Sequence, residues 1–232
     1  MLLAGGGDTA HAFDDFAPKL TRDFHVYVIT RRGFGESSFA PVTAGADTFG
    51  DDVLAVLDAL TLERPILAGH SIAGQELSSI GTRYPNRVAG LVYFDAGCLR
   101  QYYLRVLDFT YAEGELRQKR STTPEGRVGP PRSFPGGRRL LTTVTKYVEI
   151  QVPALFLVSS QSPGRWAETS TDPKIKEQLA AMSALLDRQA KSIADALPNA
   201  RVVKLTSANH YVFLSNEADV LREMRAFLAR VG

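Results

Sequence analysis

Cysteine is nearly missing: Cys98 is the one such residue in 232. A lone thiol closes no internal disulfide, so nothing asks for an oxidising compartment and the fold must rest on its core. Long apolar runs are also missing, and no stretch approaches the roughly 20 residues that a bilayer-crossing helix needs. Charge of one sign is not in excess: 27 Lys and Arg face 25 Asp and Glu, a formal +2. That balance argues against nucleic acid and against an anionic membrane surface as partners. The start of the chain, Met1-Leu2-Leu3-Ala4-Gly5-Gly6-Gly7, lacks both the basic segment and the apolar length of a secretory leader. Internal repeats are absent. These exclusions leave a cytoplasmic globular chain, long enough to bury one substantial core.

What the sequence does contain is organised around Pro65-Ile66-Leu67-Ala68-Gly69-His70-Ser71-Ile72-Ala73-Gly74. Pro65 to Ala68 is a short apolar run of the kind that fills a parallel sheet, and Ile72, Leu77, Ile80 and Tyr84 recur at helical spacing. A strand that turns at once into a helix strains the residue at the bend and needs small neighbours. Gly69, Ala73 and Gly74 supply them, and the geometry lifts the Ser71 hydroxyl above the carboxyl end of the sheet. The plain alternative is a glycine-rich turn whose serine caps the helix.

On either side, strands alternate with helices. Strands are expected at Met1 to Ala4, Phe24 to Ile29, Val88 to Asp95, Val152 to Val158 and Arg201 to Thr206. Helices are expected at Thr9 to Leu20, Phe49 to Leu62, Pro173 to Leu197 and from a cap at Asn216 to Ala229. This alternation predicts an α/β fold: a doubly wound, mostly parallel sheet of about six strands. Between Ala96 and Gln151 the pattern fails amid prolines, glycines and basic residues, so residues 1–95 and 152–232 read as the core and 96–151 as a cap insertion.

Three stretches in this order resemble the α/β-hydrolase family: the glycine turn after the first strand, Gly69 to Gly74, and Ser207-Ala208-Asn209-His210 after the last strand. Arg32-Gly33-Phe34-Gly35-Glu36-Ser37 after the second strand is a fourth. The bend departs from the G-x-S-x-G form, with Ala73 in the fifth position and Gly74 one later. The resemblance implies Ser71 as nucleophile and His210 as its base. For the acid it leaves three choices open: Asp95, the Glu168–Asp172 stretch, or no strong acid, with Asp95 preferred because the usual place, after Val158, holds no carboxylate.

It further implies an oxyanion hole from the N–H groups of Ile72 and Gly6, although Ala4 stands where the family usually carries histidine before that turn. Gly5 permits close backbone approach to substrate, and His70 packs under or lines the pocket. Tyr102, Tyr103 and Tyr211 could wall the pocket, or simply pack the cap onto the body.

Family members usually carry two further strands ahead of the one that Met1 opens, so the strand at Met1 to Ala4 or its neighbour is expected to form an exposed sheet edge, which invites a homodimer. The expected activity is that of a serine esterase on small carboxylic esters, with no cofactor and no metal. The alternatives are a lyase or perhydrolase on the same fold, or a catalytically silent ligand-binding or interaction protein.

Overall fold

The computed structural model describes residues 1–39, 44–96, 149–159 and 171–231. Six strands form one parallel sheet: β1 (Leu2–Leu3), β2 (Val28–Ile29), β3 (Ile66–His70), β4 (Gly90–Phe94), β5 (Ala154–Ser159) and β6 (Ala200–Leu205), in the order β2-β1-β3-β4-β5-β6. Among the described residues the α-helices are α1 (Ala46–Ala59), α2 (Ala73–Arg83), α3 (Pro173–Ala196), α4 (Val212–Ser215) and α5 (Glu217–Val231).

The central strands bury both faces, which is why they read as unbroken apolar runs. Leu67, Leu91, Tyr93 and Phe156 point into one core with Val53 and Leu57 of α1, Leu77 and Ile80 of α2 and Ile193 of α3. Ala68, Val92, Phe94, Leu155 and Leu157 point the other way, onto Phe13, Phe16, Phe213, Val220 and Met224. The rings of Phe13, Phe16, Phe94 and Phe213 lie 4.6 to 6.5 Å apart, centre to centre, beneath the strand ends that carry the site. No helix among the described residues is long and apolar enough to cross a membrane.

Three expectations need correction. The first helix is two 3₁₀ turns, Ala10–Phe13 and Ala17–Lys19, because Pro18 lacks an N–H and its ring collides with the preceding turn of a continuous helix. The second strand is two residues rather than six: Leu2 pairs with Val28 and Leu3 with Ile29 in parallel, so Phe24 to Tyr27 fall alongside positions ahead of β1 and lie outside its ladder. Asn216 does not cap α5 with its side chain. Its amide donates to the Thr206 carbonyl at 2.9 Å, and its Oδ1 has no partner, so it ties the loop after β6 to the start of the helix. The edge falls on β2, the neighbour of β1. The expected cap, with Tyr102, Tyr103 and Cys98, lies outside the described residues apart from 96 and 149–151, and so does Glu168.

Gly69 shows how tightly strand and helix are joined at the bend. A Cβ built there would lie 2.9 Å from the Ala73 methyl and 3.1 Å from Leu77 Cδ1, closer than packed carbon atoms tolerate. Gly69→Ala is therefore expected to destabilise the fold by about 1–3 kcal/mol through overpacking. Equilibrium denaturant unfolding checks this, and an unchanged midpoint would show that the helix can move away freely.

Candidate active site

β3 ends at His70 and α2 begins at Ala73, so the chain reverses within two residues. Ser71 takes up the reversal in the left-handed region, φ +57°, a conformation that costs a non-glycine residue on the order of 1–3 kcal/mol. The surroundings impose it. The Ser71 N–H donates to the Phe94 carbonyl at 3.1 Å, and its carbonyl accepts from the Gly74 N–H at 3.1 Å.

The register of β3 and β4 pairs His70 with Phe94, so the next residues, Ser71 and Asp95, emerge side by side at the strand tips. Asp95 is also left-handed, φ +44°, and its N–H donates to the Leu157 carbonyl at 2.8 Å. Its Oδ1 accepts from the Ser159 N–H at 3.0 Å, and its Oδ2 accepts from His210 Nδ1 at 2.7 Å. The other ring nitrogen, His210 Nε2, lies 3.0 Å from Ser71 Oγ. With Nδ1–H committed to the carboxylate, Nε2 keeps its lone pair toward the hydroxyl, and the serine donates. Burial alone would raise the Asp95 carboxyl, but the hydrogen bond and charge of His210 and the bonds from Ser159 more than offset it and hold the group below its ordinary value.

The loop that carries His210 is held from below. His70 Nε2–H donates to the His210 carbonyl at 2.9 Å, and the His70 ring packs 4.6 Å from both the His210 and Tyr211 rings. Asn209 Oδ1 accepts from the Tyr211 N–H at 2.8 Å, an Asx turn that shapes the same loop. His70 is only 1% exposed; it is a support under the loop rather than a surface of the pocket. Tyr211 stands at the rim and its hydroxyl donates to Asp8 at 3.2 Å. Gly5 passes so close to His70 that a Cβ there would lie 2.6 Å from Nδ1. Asp172 lies outside this line, just before α3.

Four contributors were not picked out from the sequence: Asp8, Ser159, Arg31 and Glu76. Ser159 ends β5 and supports Asp95 through its N–H. Arg31 and Glu76 form a buried ion pair, and the Arg31 guanidinium also donates to the carbonyls of Gly5 and Ala4 at 3.2 and 2.9 Å. A signal existed: Glu76 lies four residues from both Ile72 and Ile80, and a carboxylate in line with these two apolar residues calls for a buried cation. A separate cavity of about 400 Å³ lies between α1 and the β1–β2 edge, lined by Leu3, Ile29, Phe49 and Val53 among others, and does not reach Ser71 or His210.

A parallel, doubly covered sheet with a strained serine at the strand-to-helix bend defines a class of α/β enzymes. A sequence profile of the alpha/beta hydrolase family matches residues 1–223. The chain belongs to that family. A crystal structure of a probable hydrolytic enzyme from Pseudomonas aeruginosa PAO1 superposes with a TM-score of 0.71 at 19% identity, covering 98% of this chain and 84% of that one. A thermophilic esterase from Thermogutta terrifontis, solved with malate bound, superposes with a TM-score of 0.62 at 19% identity, covering 99% and 89%. In sequence, the chain is 29% identical over 104 residues to a protein of Mycobacterium phage D29 that bears the provisional name non-heme haloperoxidase. That match spans 44% of this chain and 37% of the phage protein.

His70 makes the site sensitive to acid. Burial, and then the neighbouring His210, lower its pKa from the ordinary 6.5, although Asp8 pulls the other way. Its Nδ1 lies 3.7 Å from Asp8 Oδ2, beyond hydrogen-bonding distance, and is a buried atom without a partner. Below pH 6.5 the unfolded imidazole takes up a proton that the folded one resists, so this group contributes stability at neutral pH that is lost as pH falls through 6.5 toward the lower folded value. The thermal midpoint is expected to fall more in wild type than in His70→Gln between about pH 7.5 and about pH 5.5. Equal falls in the two proteins, measured by circular dichroism, would contradict this.

Proposed function

We propose that this protein is a serine hydrolase that cleaves small carboxylic esters through an acyl-enzyme. One observation carries the reading: the unbroken hydrogen-bonded line from Ser71 Oγ through the His210 ring to Asp95, at the carboxyl ends of β3, β6 and β4. In that reading His210 Nε2 takes the Ser71 proton as Oγ attacks the ester carbonyl. Asp95 holds the imidazole in the correct tautomer and stabilises the imidazolium. The negative charge on the former carbonyl oxygen is met by the N–H groups of Ile72, at the start of α2, and of Gly6 in the glycine turn.

Collapse of the tetrahedral adduct expels the alcohol, which leaves with the proton from His210. A water molecule, deprotonated by the same imidazole, then releases the acid and restores Ser71. The esterase name of the Thermogutta terrifontis neighbour is in keeping with this chemistry. The tyrosines expected to wall the pocket, and the pairing of two copies along β2, stay proposals alongside it.

A second reading takes its support from the name of the phage relative. Hydrogen peroxide would replace water in attacking the acyl-enzyme, giving a peracid and free Ser71. Peracid formed from an ester and hydrogen peroxide, read as oxidation of added bromide, separates the two.

The test of the hydrolase reading combines a fluorophosphonate probe with p-nitrophenyl esters. Wild type should label and turn over; Ser71→Ala and His210→Ala should do neither. Asp95→Asn should lower turnover by about 10⁴ while the fold is kept, because the tautomer is lost rather than the shape. Undiminished turnover in Asp95→Asn would remove Asp95 from the mechanism, and a folded wild type that neither labels nor turns over would end the hydrolase reading.

A further inference from the structure

The oxyanion hole of the proposed hydrolase needs two donors on two different elements. Ile72 rides on the bend with Ser71, while Gly6 belongs to the turn after β1. Neither N–H donates a hydrogen bond within the described residues. The two elements are in contact, since a Cβ at Gly6 would lie 3.5 Å from Ile72 Cγ2. Contact alone does not aim an N–H, and three consecutive glycines, Gly5-Gly6-Gly7, have many conformations to lose.

We infer that Arg31 is the positioning residue that sets the Gly6 donor, by clamping the glycine turn to the helix that follows Ser71. Its guanidinium is the hub of three bonds. Nη2–H donates to the Ala4 carbonyl at 2.9 Å, Nη1–H donates to the Gly5 carbonyl at 3.2 Å, and Nε–H donates to the Glu76 carboxylate on α2. The Gly5 carbonyl and the Gly6 N–H share one peptide, and the chain has no cis peptide bond among the described residues. In a trans peptide the two groups point in opposite directions. Holding the carbonyl on Arg31 therefore aims the N–H away from Arg31 along a fixed line.

Glu76 stands five residues after Ser71, so the same planar fork ties this peptide to the element that carries the nucleophile and the other donor. The guanidinium carbon lies 5.6 Å from the Phe34 ring centre and 5.9 Å from that of Phe49, and the Arg31 and Glu76 side chains are 5% and 2% exposed. Both side chains also line the cavity of about 400 Å³ beside α1, so the fork is held by its three bonds rather than by exclusion of water. The clamp holds a turn that begins at Ala4, where no side chain is long enough to do so.

This inference rests on the hydrolase reading, and Arg31→Lys tests it. Lysine keeps the positive charge against Glu76, but a single ammonium cannot reproduce a planar fork with three fixed directions. Loss of one oxyanion donor costs about 10² to 10³ in rate, so a loosened donor should lower kcat for p-nitrophenyl acetate by about 10 to 10². KM and the melting temperature should change little, and affinity for a trifluoromethyl ketone, which mimics the tetrahedral adduct, should fall by the same factor as kcat. A residue that served only folding would lower the melting temperature and the active fraction without this parallel loss.

Should Arg31→Lys fail to fold, the double variant Arg31→Met/Glu76→Gln, which removes both buried charges, carries the same measurements. Full kcat and full ketone affinity in a folded variant would overturn the inference while wild type still reacts with the fluorophosphonate. A wild type that does not react with the probe would overturn the hydrolase reading itself and this inference with it.

Discussion

The rest of the site depends on a reversal of direction completed between His70 and Ala73. A strand and a helix joined so closely have to pack one against the other from the first turn. Only small residues at the junction permit it, and the residue at the apex is left in a conformation it would not choose. The cost is met by neighbours: the edge of β4 receives the Ser71 N–H, and the helix itself returns a bond to the Ser71 carbonyl. In exchange the hydroxyl is carried clear of the sheet at the point where the first N–H groups of α2 converge. The same register that pins Ser71 also delivers Asp95 beside it, so an imidazole descending from the loop after β6 meets both at once.

Sheet topology places the second half of the site. The chain leaves β1 in one direction to build β2 and returns to build β3 on the other side. Loops after two such strands diverge and leave a crevice between them at the carboxyl edge, where parallel α/β sheets bind their ligands. Here the loop after β1 is the glycine turn and the loop after β3 is the bend at Ser71. Charges buried at this crevice are few and committed. Asp95 is held by His210 and Ser159, and Glu76 by Arg31. Glu76 is pushed above its ordinary value by burial, with the Arg31 guanidinium working against that. Buried ion pairs contribute little net stability against a well-packed apolar alternative, so what this pair provides is a position.

Much of the fold could be read along the chain because the signals are local. Leu91-Val92-Tyr93-Phe94 and Ala154-Leu155-Phe156-Leu157 are apolar on both faces and can only be central strands, and the apolar spacing of Val53, Leu54 and Leu57 announces a helix. Misreadings arose where a local preference was overruled. Pro18 interrupted a helical pattern, and the register with β1 left Phe24 to Tyr27 ahead of its ladder. Asn216 has the chemistry of a cap, yet its amide found the Thr206 carbonyl across the loop. For His70 two readings stood open, packing under the site or lining the pocket, and the His210 loop folded over it buries the ring.

By itself the order of residues determined the alternation of strands and helices, the cramped bend at Ser71, and the presence of one histidine just past the last strand, because each follows from side-chain size, backbone freedom and spacing within a few positions. Tertiary structure alone decided which carboxylate meets His210 and which cation meets Glu76. Carboxylates along a string are chemically equivalent. Asp95 is singled out over a separation of 115 residues because β4 lies next to β3 in a register that sets it, at 2.7 Å, under the imidazole.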